Sequence, residues 1–260
     1  MSTIAFFAIN LPGSVERREN VYRQAERCGI DIQLVEAVSG ATLTEEQKAM
    51  YDVKARSKHF ERHLTPNEQA CMHSHRKALE QFLASDAEYG VIMEDDVIFG
   101  DKFMDALTYL TERLGGWEFC KLYCDPGPLY DVFPHAEGEA LYPVFPKKFL
   151  WVSACNMYTR KAAELLLKKT SRFCLAADAQ IGSVMMSAGI PSISLNENVA
   201  GVLNPNNEQS DIDDGGSRTG GPVVKRSLGQ YIRYRLSIAR NSLAKSRMRR
   251  VLRRSLYLKV

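Results

Sequence analysis

The chain has 260 residues, of which 45% are hydrophobic and 25% charged, enough to bury a full core in one large domain. No window approaches about 18 uninterrupted apolar residues, which argues against a membrane-spanning helix. The net charge of +3 conceals a division: residues 225–260 hold twelve Lys or Arg and no Asp or Glu, and the preceding 224 carry a net charge of −9. An acidic body of residues 1–224 with a basic tail at 225–260 is the expected organisation.

Ile4–Ile9 is apolar with no basic segment before it, and reads as a first strand and not as a signal peptide. Asn10–Ser14 breaks it. Ser14 is placed to cap a helix over Val15–Cys28, and Gly29 suits the left-handed position that ends one. Asp31–Val38 returns as a strand, so a right-handed βαβ unit is expected. Tyr51–His63 is polar and basic and reads as a surface excursion. Thr65-Pro66-Asn67-Glu68 supplies an N-cap Thr, a first-turn Pro and the Glu of a capping box. It predicts a helix to about Ser85 whose inward stripe holds Cys71, His75, Ala78, Leu79 and Phe82, while His73 points elsewhere as a structural side chain.

Tyr89–Met93 is a short apolar run ending in Glu94-Asp95-Asp96. Phe119–Cys124, Phe149–Tyr158 and Ile190–Leu195 read as strands, Arg160–Thr170 and Asp178–Ser187 as helices, and Asn204–Pro222 as a loop. Alternating strands and helices predict an α/β fold with a mostly parallel sheet covered on both faces. Six cysteines without a C-x-x-C pair read as reduced thiols, which points to the cytosol.

The acid triplet carries the strongest chemical signal. Three carboxylates at a strand end repel one another, and a divalent cation removes that cost. Side chains alternate along a strand, so Glu94 and Asp96 point one way and Asp95 the other. Open α/β sheets bind ligands at the carboxyl ends of their strands, and Mg²⁺ and Mn²⁺ take oxygen ligands and diphosphate oxygens. A solvated acidic turn is the plainer reading of the same three letters. Asn10, Arg17 and Arg18 follow the first strand, where an Arg could contact phosphate. Glu36–Gly40 ends the second strand beside them, as a nucleoside wall or a tight turn.

Several segments together resemble glycosyltransferase family 25. They are Ile9-Asn10-Leu11 with Arg17-Arg18, Glu36-Ala37-Val38-Ser39-Gly40, Glu68…Cys71…Ser74-His75, Val91-Ile92-Met93-Glu94-Asp95-Asp96-Val97, Tyr158–Leu166, Asp178, and Gln209-Ser210-Asp211-Ile212. Gln69-Ala70 departs from the family's apolar-Gly pair before the Cys, and Ala176-Ala177 from its residues before the Asp. The resemblance implies a Rossmann-like GT-A fold and inverting transfer of galactose or glucose from a UDP-sugar onto a growing lipooligosaccharide core. It implies donor contacts at Asn10, Leu11, Arg17, Arg18, Ala37, Val38, Gly40, Ser74, His75, Glu94, Asp95 and Gln209. Glu94, Asp96 and Asp211 are implied as ligands to Mn²⁺ or Mg²⁺. Asp178 is implied as the base with Asp211 as runner-up; by itself, an Asp opening a helix is also a common N-cap, and His75 is also a plausible hydrogen-bonded core residue.

In the tail, Leu228, Ile232, Leu236, Ala239 and Leu243 recur at helical spacing among Arg233, Arg240, Lys245 and Arg247. A basic amphipathic helix of this kind binds anionic membrane surfaces. Nucleic acid is the competing polyanion, but no nucleic-acid motif accompanies the basic residues, so none is expected as a partner. A tail packed on the acidic body is a further alternative. The combined expectation is a cytoplasmic enzyme, peripheral on the inner face of the bacterial inner membrane, acting on a lipid-linked saccharide. The rival readings are a metal-dependent phosphohydrolase or nucleotidyltransferase using the same acids, and a non-catalytic membrane adaptor.

Overall fold

The structure, a computed structural model, describes residues 3–59, 62–124, 130–133, 135–146, 154–203 and 228–259, with the backbone alone for residues 59, 130, 228–239 and 241. β1 (Ile4–Asn10), α1 (Val15–Cys28) and β2 (Ile32–Glu36) come first, then α2 (Glu45–Ala49), α3 (Val53–His59) and α4 (Pro66–Ala84). β3 (Tyr89–Glu94) turns through Asp95 and Asp96 into β4 (Val97–Phe99), followed by α5 (Phe103–Thr108), β5 (Leu114–Gly115) and β6 (Phe119–Lys121). Next are β7 (Tyr130–Val132), β8 (Pro143–Pro146), β9 (Cys155–Thr159), α6 (Arg160–Lys169), α7 (Ala177–Ala188), β10 (Ser192–Leu195) and β11 (Ala200–Val202). α8 (Leu228–Ser255) and β12 (Tyr257–Leu258) end the described chain.

The main sheet has eight strands in the order β2-β1-β3-β9-β6-β10-β8-β7. β2, β1 and β3 pair in parallel, as do β6 and β10, while β9 and β8 run against their neighbours. Most strands therefore run one way, as the alternating pattern predicts, and β1-α1-β2 is the expected parallel unit. Register fixes the faces. Ile92 pairs with Asn156 and Asn156 with Lys121, so these residues and Glu94, two beyond Ile92, share one face. Asn10, two beyond Ala8 whose partner is Met93, lies on the opposite face with Asp95.

Local chemistry sets the helices. Gly29 closes α1 at φ 64°, a conformation an L side chain rarely adopts, and its N–H reaches the Ala25 and Glu26 carbonyls. Ser14 does not cap α1 with its side chain; it sits in a turn in which its N–H donates to the Leu11 carbonyl at 2.9 Å. The Thr65 capping box forms as the spacing predicts, with the Glu68 N–H donating to Thr65 Oγ1 at 3.2 Å and the Thr65 N–H to Glu68 Oε2 at 2.8 Å. Glu68 also takes a forked ion pair from Arg62, both contacts 2.6 Å.

The segment expected as a surface excursion is folded onto the body. Tyr51 is buried with Leu64, Met72, Phe173 and Ala177 in a satellite core. Its hydroxyl accepts from the Leu64 N–H at 3.0 Å and lies 3.2 Å from His63 Nδ1. Arg56 is buried and donates to the carbonyls of Arg62 at 2.6 Å and Cys174 at 3.3 Å. Basic residues concealed this role because their heads bond backbone carbonyls that only the fold supplies. The predicted strand at Phe149–Tyr158 is observed at Cys155–Thr159, and residues 147–153 lie outside the described residues.

The tail is also tied to the body, against the expectation of an appended helix. Met248, Leu252 and Leu256 are buried in the main core, β12 pairs with β5, and Arg249 forms an ion pair with Asp131. Leu243, assigned to the apolar stripe by spacing, is 70% exposed. The inward face of the last turns is Met248 and Leu252, one turn apart. Removing residues 225–260 therefore removes core side chains. Leu252→Ala should destabilise the protein by about 2–5 kcal/mol, whereas Leu243→Ala should stay within about 0.5 kcal/mol. Chemical denaturation of both variants checks this, and equal effects would contradict the anchoring of the tail.

Candidate active site

The acid triplet occupies the carboxyl end of β3, in the middle of the sheet, and its carboxylates diverge as strand alternation predicts. Asp95 turns toward α1, where Asn10 Nδ2 donates to Asp95 Oδ2 at 2.7 Å and Arg17 Nη1 approaches Oδ1 at 3.3 Å. Glu94 turns toward α4, with Oε1 3.4 Å from His75 Nε2. Asp96 is the strained member. Its Oδ1 is buried without a hydrogen-bond partner among the described residues. Burial pushes its carboxyl up to about 6, the charges of Glu94 and Asp95 add to this, and Arg17 opposes it. An under-satisfied carboxylate near two others fits a bound divalent cation.

The Asn10 amide does two jobs, since Nδ2 also donates to the Ser14 carbonyl at 3.1 Å. It ties the β1–α1 turn to Asp95 and acts as a positioning group. Leu11 follows it, half-buried. Arg17 reaches the triplet, whereas Arg18 lies 3.5 Å from the Pro12 carbonyl. The Ala37 N–H donates to the Asn10 carbonyl at 2.9 Å, which brings the strand-end loop beside the triplet. Ser74 Oγ accepts from the Val38 N–H at 2.8 Å and donates to the Ala70 carbonyl at 2.9 Å. Ser74 thus holds the loop by its backbone. Gly40 is there for space: a Cβ would lie 2.2 Å from Asn67 Oδ1.

His75, half expected as a core histidine, is both buried and in the site: it is 1% exposed yet faces Glu94. His73 is buried on another side, with Nε2 3.0 Å from the Gln47 carbonyl.

Two strands from β3, Lys121 was missed by sequence reasoning. It is 0% exposed at the carboxyl end of β6, on the face of Glu94. Burial pulls its ammonium down to about 8, opposed by Cys124 and Asp178. A Lys inside the apolar run Phe119–Cys124 was the available signal. Asp178 is not the N-cap of α7, a position held by Ala176; it lies in the first turn, with Oδ1 accepting from the Ala179 N–H at 2.6 Å. The positive end of the helix favours a carboxylate there, and the Lys121 interaction brings it to the same sheet edge as Glu94. Gln209 and Asp211 lie outside the described residues.

Open α/β sheets bind ligands outside the carboxyl ends of their strands, and that is the edge at which the acidic cluster lies, with the βαβ unit beside it. Residues 3–124, spanning β1 through β6 and just under half of the chain, match the family described as Glycosyltransferase family 25 (LPS biosynthesis protein). A "Glycosyltransferase 25 family member" of Aedes aegypti is 26% identical over 125 residues, 45% of this chain and 21% of the relative. "Procollagen galactosyltransferase 2" of Mus musculus is 30% identical over 112 residues, 42% of this chain and 18% of the relative. The matched segment therefore spans about a fifth of these relatives. A crystal structure of a glycosyltransferase involved in the glycosylation of the major capsid of PBCV-1 aligns over 64% of this chain and 66% of its own at 13% identity. The TM-score of that alignment is 0.31. The family match includes the triplet, Cys71, His75 and Lys121 but ends before Asp178.

Asp96 makes stability depend on pH. A carboxyl raised to about 6 in the folded chain keeps a proton that the unfolded chain has released, so stability falls as pH rises from about 4 to about 6 and then levels. Asp96→Asn removes a penalty on the order of 2–3 kcal/mol. In chelator the variant should melt above the wild type at about pH 8 and converge with it at about pH 4. Thermal denaturation at both values checks this, and a gap independent of pH would show that Asp96 is not the strained group.

Proposed function

We propose that the protein is a metal-dependent, inverting hexosyltransferase that moves galactose, or glucose in its place, from a UDP-sugar onto a lipid-linked bacterial saccharide of the lipooligosaccharide or LPS core. The observation that carries this reading is the under-satisfied Asp96 carboxylate beside Glu94 and Asp95 at the end of the central strand. Support for the sugar comes from the relatives named procollagen galactosyltransferase, and support for the acceptor from the family description, which names LPS biosynthesis.

Asp96 and Glu94, with Asp211 as a further ligand, would hold Mn²⁺ or Mg²⁺, which supplies positive charge to the departing diphosphate. Asn10 and Arg17 keep Asp95 turned to the α1 side, so the triplet presents its other carboxylates to the donor. Ser74 and Gly40 hold the 37–40 loop as a wall for the nucleoside. Asp178 accepts the proton of the acceptor hydroxyl as that oxygen attacks the anomeric carbon, and UDP leaves from the opposite side.

Incubation with a panel of UDP-sugars and truncated lipooligosaccharide, followed by weighing of the products, tests the assignment. Asp96→Asn should abolish transfer. Asp178→Asn should lower kcat by at least about a hundredfold with UDP affinity nearly unchanged. Free sugar released without any acceptor product would favour hydrolysis instead, and full turnover in chelator would remove the metal.

The tail supports a place for this reaction. Arg240, Arg247, Arg250, Arg253 and Arg254 are exposed on α8, and no helix of the described residues is long and apolar enough to cross a membrane. Each basic side chain near an anionic leaflet contributes about 1 kcal/mol, which favours peripheral binding at the inner face of the inner membrane. Replacing Arg250, Arg253 and Arg254 together by Gln should release the protein from anionic vesicles in sedimentation without lowering its melting temperature. Wild-type protein that ignores such vesicles, or a variant that still binds them, would remove the membrane from the proposal.

A further inference from the structure

Behind the triplet, the sulfur of Cys71, a ring nitrogen of His75 and a carboxylate oxygen of Glu94 all lie within 4.8 Å of one another, the one such group among the described residues. The transfer mechanism uses neither the thiol nor the imidazole. Cys71 and His75 are four residues apart on α4 and so share one face of the helix. α4 is seated tightly on β3: a Cβ at Gly90 would lie 2.5 Å from the Phe82 ring. That seating brings the helix face to the strand end that delivers Glu94. The donors are therefore fixed by two packed elements and not by a loop.

His75 is the second observation. It is 1% exposed, its Nδ1 has no hydrogen-bond partner among the described residues, and its Nε2 contact with Glu94 is long for a hydrogen bond at 3.4 Å. Buried imidazoles are normally satisfied at both nitrogens. A cation accepting one of them accounts for the deficit. The donor set selects the ion, since sulfur and imidazole suit Zn²⁺-class metals whereas Mg²⁺ and Mn²⁺ favour oxygen. Three protein ligands of sulfur, nitrogen and oxygen match zinc sites that keep one position open.

We propose that Cys71, His75 and Glu94 form a binding site for a thiolate-accepting divalent cation of the Zn²⁺ class, adjoining the oxygen cluster at Asp96. Glu94, with two oxygens, belongs to both clusters. Binding releases the Cys71 proton to solvent, because the thiolate is the ligand. An ion there also lowers the repulsion between Glu94 and Asp96.

Co²⁺ titrated into the metal-stripped full chain reads the site without reference to transfer. A sulfur-to-cobalt charge-transfer band should appear, saturate near a single equivalent and vanish on addition of Zn²⁺. Asp96→Asn should leave the band in place. Cys71→Ser should abolish it and weaken Zn²⁺ binding by at least about tenfold, the low end for losing even an outer-shell partner. Should that variant misfold, the wild type still decides: Zn²⁺ should slow alkylation of Cys71, mapped by mass spectrometry, and leave half-buried Cys28 unchanged. Absence of the band, its survival in a folded Cys71→Ser variant, or Cys71 alkylation indifferent to Zn²⁺ would overturn the site. None of these results depends on the transferase reading, which stands or falls on Asp96 and the product assay.

Discussion

Three consecutive carboxylates at the end of a central strand repel one another, and each has found a different answer. Asp95 is taken up by Asn10 and Arg17. Glu94 turns to His75 on α4. Asp96 is left with a buried, unbonded oxygen and a carboxyl that burial and its neighbours hold near 6. The first two contacts depend on elements packed against opposite faces of the sheet, so α1 and α4 must both dock correctly before the charges can coexist. The remaining imbalance at Asp96 is what a bound cation would relieve.

α4 does more than cover the sheet. Its capping box and the Arg62–Glu68 fork fix where it starts. Its Phe82 fills the space left by Gly90, and its Ser74 takes hold of the loop after β2. A helix pinned at these points can present Cys71 and His75 to Glu94 with little freedom. Rigid placement of this kind is what a metal or substrate site requires, because small errors in position are costly.

The family match covers just under half of the chain, the part that builds the triplet and its supports, and leaves β9, α7 and the tail unmatched. Those unmatched elements still contribute to the same edge. β9 lies between β3 and β6, and Asp178 on α7 interacts with buried Lys121. The last turns of α8 close the core from outside, leaving an exposed basic surface beyond them. The body and tail are thus one folded unit with two chemically different surfaces.

Much of this was legible in the order of residues because it depends on near neighbours. The capping box at Thr65, the end of α1 at Gly29, the parallel pairing of β1 and β2, and the alternation that separates Asp95 from Glu94 all follow from contacts or periods of a few residues. The triplet announced its own site, since adjacent acids carry their repulsion wherever the strand ends. Other features needed partners far along the chain. Tyr51 and Arg56 look like surface residues until Phe173 and the Cys174 carbonyl arrive to bury them. Lys121 reads as an interruption in a strand until the β3-β9-β6 register sets it level with Ile92, on the face of Glu94, and Asp178 reads as a helix cap until Lys121 appears beside it. At the described end of α8, Leu243 faces out while Met248 and Leu252 face in, because spacing along a helix gives a period, while the surface that receives it gives the phase. Local chemistry determined the elements and the acids; which side chains those acids meet was decided only when distant strands and helices packed together.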